Sequence, residues 1–380
     1  MIRLGVCVSA ARRHPRGRQA AAVAIGTLAL ALAAPTAASA VPGAPTVSSI
    51  TVGDQPWGVA VNPVTGTVYV ANSFSNTVSV INGRTRTVTG TIDVGDFPTQ
   101  VAVNPSTDTV YVTNYNDGTV SVINGRTDTV TDVVTVETEP EWIALDPVTA
   151  TVYVGNEISN TVSVISERTN TVITTVGVGS GPQGVAFNPV TGAVYVANTG
   201  SDSVSVISGR TNTVIATVGV GSGPQGVAFN PVTGTVYVAN TGSDDVSVIS
   251  GRTNTVIATV DVDTDPTGVA VNPVTGTVYV ANNQSGNVSV ISGRTNRVIG
   301  AIDVGSNPAG VAVNPMTGAV YVANTGSSNV SVIDGWTGRV AATIAVGPGP
   351  VGIAVNPVTG TVYTADNSST TASVITGLGY

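Results

Sequence analysis

Residues 184–218 read GVAFNPVTGAVYVANTGSDSVSVISGRTNTVIATV. Four short segments stand out: GVAF (184–187), AVYVAN (193–198), SVSVIS (203–208) and TVIATV (213–218). They are rich in Val, Ile and Thr, which suit a pleated half-buried surface, and Gly, Pro, Asn and Asp bound them. NPVTG joins the first two as a tight hairpin, with Pro presetting φ and Gly supplying a positive φ. SGRTN does the same between the third and fourth. No segment beyond residue 40 carries a helical period, so the unit is four antiparallel strands.

The same unit recurs along the chain. Tyr69, Tyr111, Tyr153, Tyr195, Tyr237, Tyr279, Tyr321 and Tyr363 are each 42 residues apart. Proline columns beginning at Pro56 and Pro63 keep the same step to Pro350 and Pro357. Eight copies without an insertion imply eight equivalent units, and about 40–45 residues per four strands is the spacing of a β-propeller blade. The last copy stops after its third strand, TASVIT (371–376), while TVSSITV (46–52) precedes the first full copy as an unpaired fourth-type strand. Pairing that strand into the last blade closes a ring and removes two sheet edges. The sequence therefore predicts one all-β propeller of eight blades over residues 41–380, with seven blades as the alternative count.

Tyr-Val-Ala-Asn at 69–72, 195–198, 237–240, 279–282 and 321–324, with Tyr-Val-Thr-Asn at 111–114, resembles the YVTN family of β-propeller repeats. The flanking P-x-G-V-A-V-N-P and N-T-V-S-V-I-N-G segments match it as well. Blade three (Tyr-Val-Gly-Asn, 153–156) and blade eight (Tyr-Thr-Ala-Asp, 363–366) depart from the motif. The resemblance implies an exported or surface-layer scaffold, within a wider superfamily that includes lactonase-like enzymes.

The first 40 residues carry all the chemistry that the rest lacks. Five Arg lead into the apolar run AAAVAIGTLALALAA (20–34) and then PTAASA ending at Ala40. That order marks a secretory signal peptide cleaved after Ala40. The run is short of the roughly 20 residues a membrane span needs. Arg12-Arg13 hints at twin-arginine export, but His14-Pro15 continues it poorly and favours the general route. The mature chain then holds 9 Arg against 22 Asp and Glu, a formal charge of −13. Such a net charge disfavours nucleic acid and anionic lipid. Cys7 and His14 are the only Cys and His. The mature chain thus has no thiol nucleophile, imidazole base or nitrogen ligand for zinc. The expected product is a secreted or envelope-located monomer without membrane insertion.

In a propeller the first strand of each blade lines the channel. The hairpin turns share one face, and the remaining loops share the other. The turns barely change between copies; the loop face does. Trp57, Phe97 and Trp142 lie in loops leading into blades, and Phe74 and Tyr115 in loops between strands two and three. All five belong to blades one to three, together with Glu137, Glu139, Glu141, Glu157, Asp96 and Asp117. The stretch ETEPEWIALDP (137–147) replaces the GSGPQGVAFNP of blades four and five. An exposed aromatic patch with acids is a candidate binding site for a protein or glycan at the cell surface; rings filling gaps between blades are the alternative.

The residue after each first Pro forms a column at the channel mouth. It holds Trp57, Thr99, Glu141, Gln183, Gln225, Thr267, Ala309 and Val351. Acid–base hydrolysis needs a second titratable group beside Glu141, which leaves a metal-assisted lactonase-like hydrolase as the alternative function and a surface-coat component as another. The reading includes no cofactor; a calcium or magnesium site is the weaker alternative, and Asp261, Asp263 and Asp265 are its only added oxygens. The repeated Asn at the end of strand two, Asn72 through Asn324, reads as a loop cap bonded to backbone. The Arg column in the outer turns (Arg84, Arg126, Arg168, Arg210, Arg252, Arg294) reads as architecture, and Trp336 breaks it.

Overall fold

The computed structural model describes residues 45–378; the signal-type segment 1–40 lies outside them. Eight four-stranded antiparallel sheets form an eight-bladed propeller. Seven blades are built from consecutive strands. In the eighth, Thr46–Thr51 pairs with Thr371–Thr376, in register from Thr46 opposite Thr376 to Thr51 opposite Thr371. Ring closure thus joins the N-terminal strand to the last blade, and eight is the blade count. Among the described residues no helix is long and apolar enough to cross a membrane.

The strands are Val-rich because most of each blade is buried on both faces. Strands two and three are buried along nearly their whole length, whereas strand four alternates and faces solvent. The eight periodic Tyr are 0–1% exposed and form the largest side chains of the core. Each core cluster draws on two neighbouring blades: Tyr195, Val204 and Val206 of blade four pack with Val236, Val238 and Ile249 of blade five. Tyr hydroxyls add bolts, since Tyr195 donates to Asn254 Oδ1 at 2.8 Å and Tyr237 to Asn296 Oδ1 at 2.7 Å. Both acceptors belong to the outer hairpin of the next blade.

Inner strands begin at the proline, two residues earlier than the GVAF pattern suggested: Pro182–Asn188 in blade four. Between Pro182 and Val185 the pairing with strand two shifts by a bulge. The bulge brings Gly184 against the next blade, where a Cβ would stand 2.0 Å from Gln225 O. Gly226, Gly268 and Gly310 meet the carbonyls of Thr267, Ala309 and Val351 in the same way. Close approach of inner strands therefore demands Gly at this position. Six blades comply; Gln100 and Trp142 occupy it in blades two and three.

The Asn of each NP turn makes an Asx turn: Asn188 Oδ1 accepts from Val190 N at 2.9 Å. These inner hairpin tips and the outer GRTN hairpins share one face, tied by bonds such as Gly209 N to Gly192 O at 2.8 Å. The loops leading into the blades and the loops between strands two and three share the other.

Candidate functional site

The loop face of blades one to three holds two groups of side chains where the sequence suggested one. Trp57 and Trp142 are not at loop tips. They lie within the inner strands Pro56–Val61 and Pro140–Asp146 and line the central channel. The loop assignment failed because the bulged inner strand starts at the proline, carrying these positions inside the ring. The channel cavity is about 500 Å³, lined by Trp57, Gln100, Glu141, Trp142, Gln225 and Thr267 and by the glycine column.

Gln100 is the lining residue that sequence reasoning missed. Its signal was present, as one of only two departures from the glycine column. Thr99 is correspondingly not at the open mouth: it is 2% exposed, and its hydroxyl lies 3.0 Å from that of Thr113. Both departures are matched on strand two. In blade two, Thr113 stands where most blades have Ala, accepts from Gln100 N at 3.0 Å and donates to Glu141 O at 3.0 Å. In blade three, Trp142 pairs directly with Gly155. The YVTN and YVGN variants of strand two thus stand beside the two departures from the glycine column.

Glu141 is the chemically distinctive group of the channel. Burial pushes its carboxyl up to about 7, with Glu157 and then Glu139 adding repulsion. The Trp142 indole N–H favours the ionised form but makes no hydrogen bond of acceptable geometry, leaving Nε1 buried and unpartnered. Thr267 Oγ1 is likewise buried without a partner. Around the rim, Gln183 Nε2 donates to Glu157 Oε1 at 3.3 Å and Gln225 Nε2 to Gln183 Oε1 at 3.1 Å. Every Arg of the described residues lies on the opposite side or in its outer hairpins, so no base offsets these acids.

The second group is a ladder of rings on the rim. Phe74 and Phe97 stack at 5.7 Å between centroids, Phe97 and Tyr115 at 6.1 Å, both tilted. Tyr115 donates to Glu139 Oε2 at 2.6 Å. Burial and that bond raise the Tyr115 hydroxyl well above its usual range. Phe74 remains 61% exposed.

Backbone geometry separates blades one to three from the rest. The residue before each inner-strand proline has positive φ in all eight blades. Gly181, Gly223 and Gly349 fill the position freely, and Asp265 (φ 61°) and Asn307 (φ 50°) are tolerated there. Blades one to three instead carry Gln55 (φ 48°), Phe97 (φ 55°) and Glu139 (φ 57°). For an ordinary side chain this region costs about 1–2 kcal/mol.

The repeated Asn does not cap through backbone. Its Nδ2 donates to two strand-three side chains: two hydroxyls in blades one to four, as in Asn72 to Thr77 Oγ1 and Ser79 Oγ, both at 3.0 Å, and a hydroxyl plus Asp245, Asn287 or Asn329 Oδ1 in blades five to seven. Its Oδ1 is buried without a partner. Blade eight solves this differently. Asp366 accepts from Ser373 and Thr371 on Oδ2 and from Thr364 on Oδ1 at 2.7 Å. Thr364 replaces the Val of the other blades. Among the described residues no group of three or more His, Cys, Asp or Glu is arranged to hold a metal ion. Asp263 accepts from Asn287 Nδ2 at 2.8 Å.

No family model matches the chain. Among curated proteins, the PE-PGRS family protein PE_PGRS18 of Mycobacterium tuberculosis (strain ATCC 25618 / H37Rv) is 69% identical over 36 residues. That match spans 10% of this chain and 8% of that protein. Among solved structures, the Kuenenia stuttgartiensis hydrazine synthase is similar at a TM-score of 0.62 and 19% identity, covering 85% of this chain and 96% of that one. The dihydro-heme d1 dehydrogenase NirN, in complex with DHE, is similar at a TM-score of 0.67 and 14% identity, covering 81% and 72%. Likeness at these identities is likeness of fold: the chain is an eight-bladed β-propeller.

Proposed function

We propose that this is an exported, non-catalytic propeller of the YVTN type that binds a protein or glycan on the loop face of blades one to three. The carrying observation is the positive-φ column. Five blades place Gly, Asn or Asp there, and three accept backbone strain to present Gln55, Phe97 and Glu139 side by side. Strain kept on one sector of a repeat supports a functional demand on those side chains. The stacked rings offer apolar faces, and Glu139 with the channel-mouth amides offers hydrogen bonds, a combination suited to recognition without turnover. The signal-type N-terminus supports export.

The test is Phe97→Gly, which installs the residue of blades four, five and eight. Screened against glycan and envelope-protein arrays, the parent should retain a class of ligand that the variant loses by about tenfold or more. Its unfolding temperature should stay level, because relief of strain offsets the lost stacking. A variant that binds as well as the parent, or that loses stability in step with binding, refutes the reading.

One observation favours a hydrolytic alternative: a half-buried carboxyl near 7 suits general acid–base work. Hydrolysis of any member of a lactone panel, abolished by Glu141→Gln, would establish it; an inactive parent removes it.

A further inference from the structure

The face opposite the candidate site has a composition of its own. In seven of eight blades the inner hairpin tip displays Val or Met, more than half exposed in every case and reaching 78% at Val148. Ser106 is the exception. Outside this apolar ring, the exposed outer hairpins and the residues that follow them hold all nine Arg of the described residues. The hairpins of this face hold five acids against the nine Arg: Asp108 and Asp146 are buried, Glu167 accepts from Asn104 Nδ2, Asp334 accepts from the Trp336 backbone N–H, and Asp128 stands in the outer hairpin of blade two. Trp336 takes the place of an Arg in blade seven. It is 77% exposed, and its Nε1 donates to Thr317 O at 3.0 Å, which sets the indole beside the exposed tip residue Met316.

From this arrangement we infer that the hairpin face docks peripherally on an anionic lipid surface, with Trp336 and Met316 as its anchor. Repetition places the eight tips at equivalent heights around the ring, so they meet a plane together. A flat lipid interface matches that better than a convex protein does. Valine and Met tips enter the headgroup boundary, the indole takes the amphipathic position it favours there, and the Arg ring faces the phosphates. The acids of the loop face do not oppose this contact, because they lie across the thickness of the propeller. That exceeds the screening length of about 8–10 Å at physiological salt. Whole-chain charge therefore misstates what this face offers. The inference stands independently of the ligand on the loop face.

Sedimentation of the purified chain with vesicles decides the matter. Vesicles of phosphatidylcholine alone are compared with vesicles containing phosphatidylglycerol, at about 0.1 M and about 1 M salt. The chain should bind the phosphatidylglycerol vesicles at low salt. Trp336→Ser with Met316→Ser should weaken binding about tenfold at an unchanged unfolding temperature, and Arg294→Gln with Arg339→Gln should erase the preference for the anionic lipid. Val148→Ser with Val190→Ser, across the ring, should give a smaller loss and keeps the test informative if the first pair impairs folding. No sedimentation with anionic vesicles overturns the inference, as does equal binding by both Ser pairs. A dimer that buries Trp336 in the absence of vesicles also overturns it, by assigning the face to a second copy.

Discussion

Replacing Glu141 by Gln removes the one channel carboxyl whose ionisation the fold resists. The carboxyl moves from 4.5 to about 7 on folding. At about 1.4 kcal/mol per pH unit this corresponds to as much as about 3 kcal/mol. Because the folded value is raised, the stabilising contribution is complete below pH 4.5 and is lost as pH rises through 7. The parent should therefore lose ground to Glu141→Gln steadily from about pH 5 to pH 8. With an unfolding entropy near 2 cal/mol/K per residue, the change in their melting-temperature difference is about 4 °C for a propeller of this size. Differential scanning calorimetry of both proteins across that range reads it directly. Asp128, Glu167 and Asp366 are also raised by burial, but they are present in both proteins and cancel in the difference. Parallel profiles would refute the argument, since they would mean that Glu141 ionises in the channel as readily as in the unfolded chain.

Two further outcomes follow from the repeat. Gly226→Ala drives a Cβ to 2.1 Å from Thr267 O and should cost about 1–3 kcal/mol in denaturant unfolding, whereas Gly155→Ala, with its nearest neighbour at 3.5 Å, should be nearly neutral. Thr364→Val strips the donor from Asp366 Oδ1 and should cost about 1–3 kcal/mol; adding Asp366→Asn restores the Val–Asn pair of the other blades and should recover most of it, as a double-mutant cycle would show.

The architecture was legible because each blade repeats one pattern without an insertion, so weak strand signals reinforce one another eight times. The closure strand was legible for a related reason, since a fourth-type strand at one end and a missing one at the other define a pair. The site was legible only in part. Residue letters placed Phe74, Phe97 and Tyr115 together and Trp57 in the channel-mouth column, but they did not reveal the bulge that puts Trp57 inside a strand and carries Trp142 into the channel as well. Side-chain direction within a bulge depends on pairing register, which the strand pattern alone leaves open. The positive-φ column was readable in principle from its Gly, Asp and Asn members. Only the backbone angles show that Gln55, Phe97 and Glu139 obey the same constraint at a cost.

Closure through Thr46–Thr51 also orders events in time. Every other strand pairs with a neighbour adjacent in the chain, so blades assemble from local contacts and do so early. The closing pair brings together residues 330 positions apart, Thr46 with Thr376. Until residues 371–376 are available the first strand has no proper partner. Third strands of near-identical sequence, SVSVIS in blade four and DVSVIS in blade five, are each taken by their own fourth strand. The latch therefore fits one vacancy, and it engages only after all eight blades have been counted out in order.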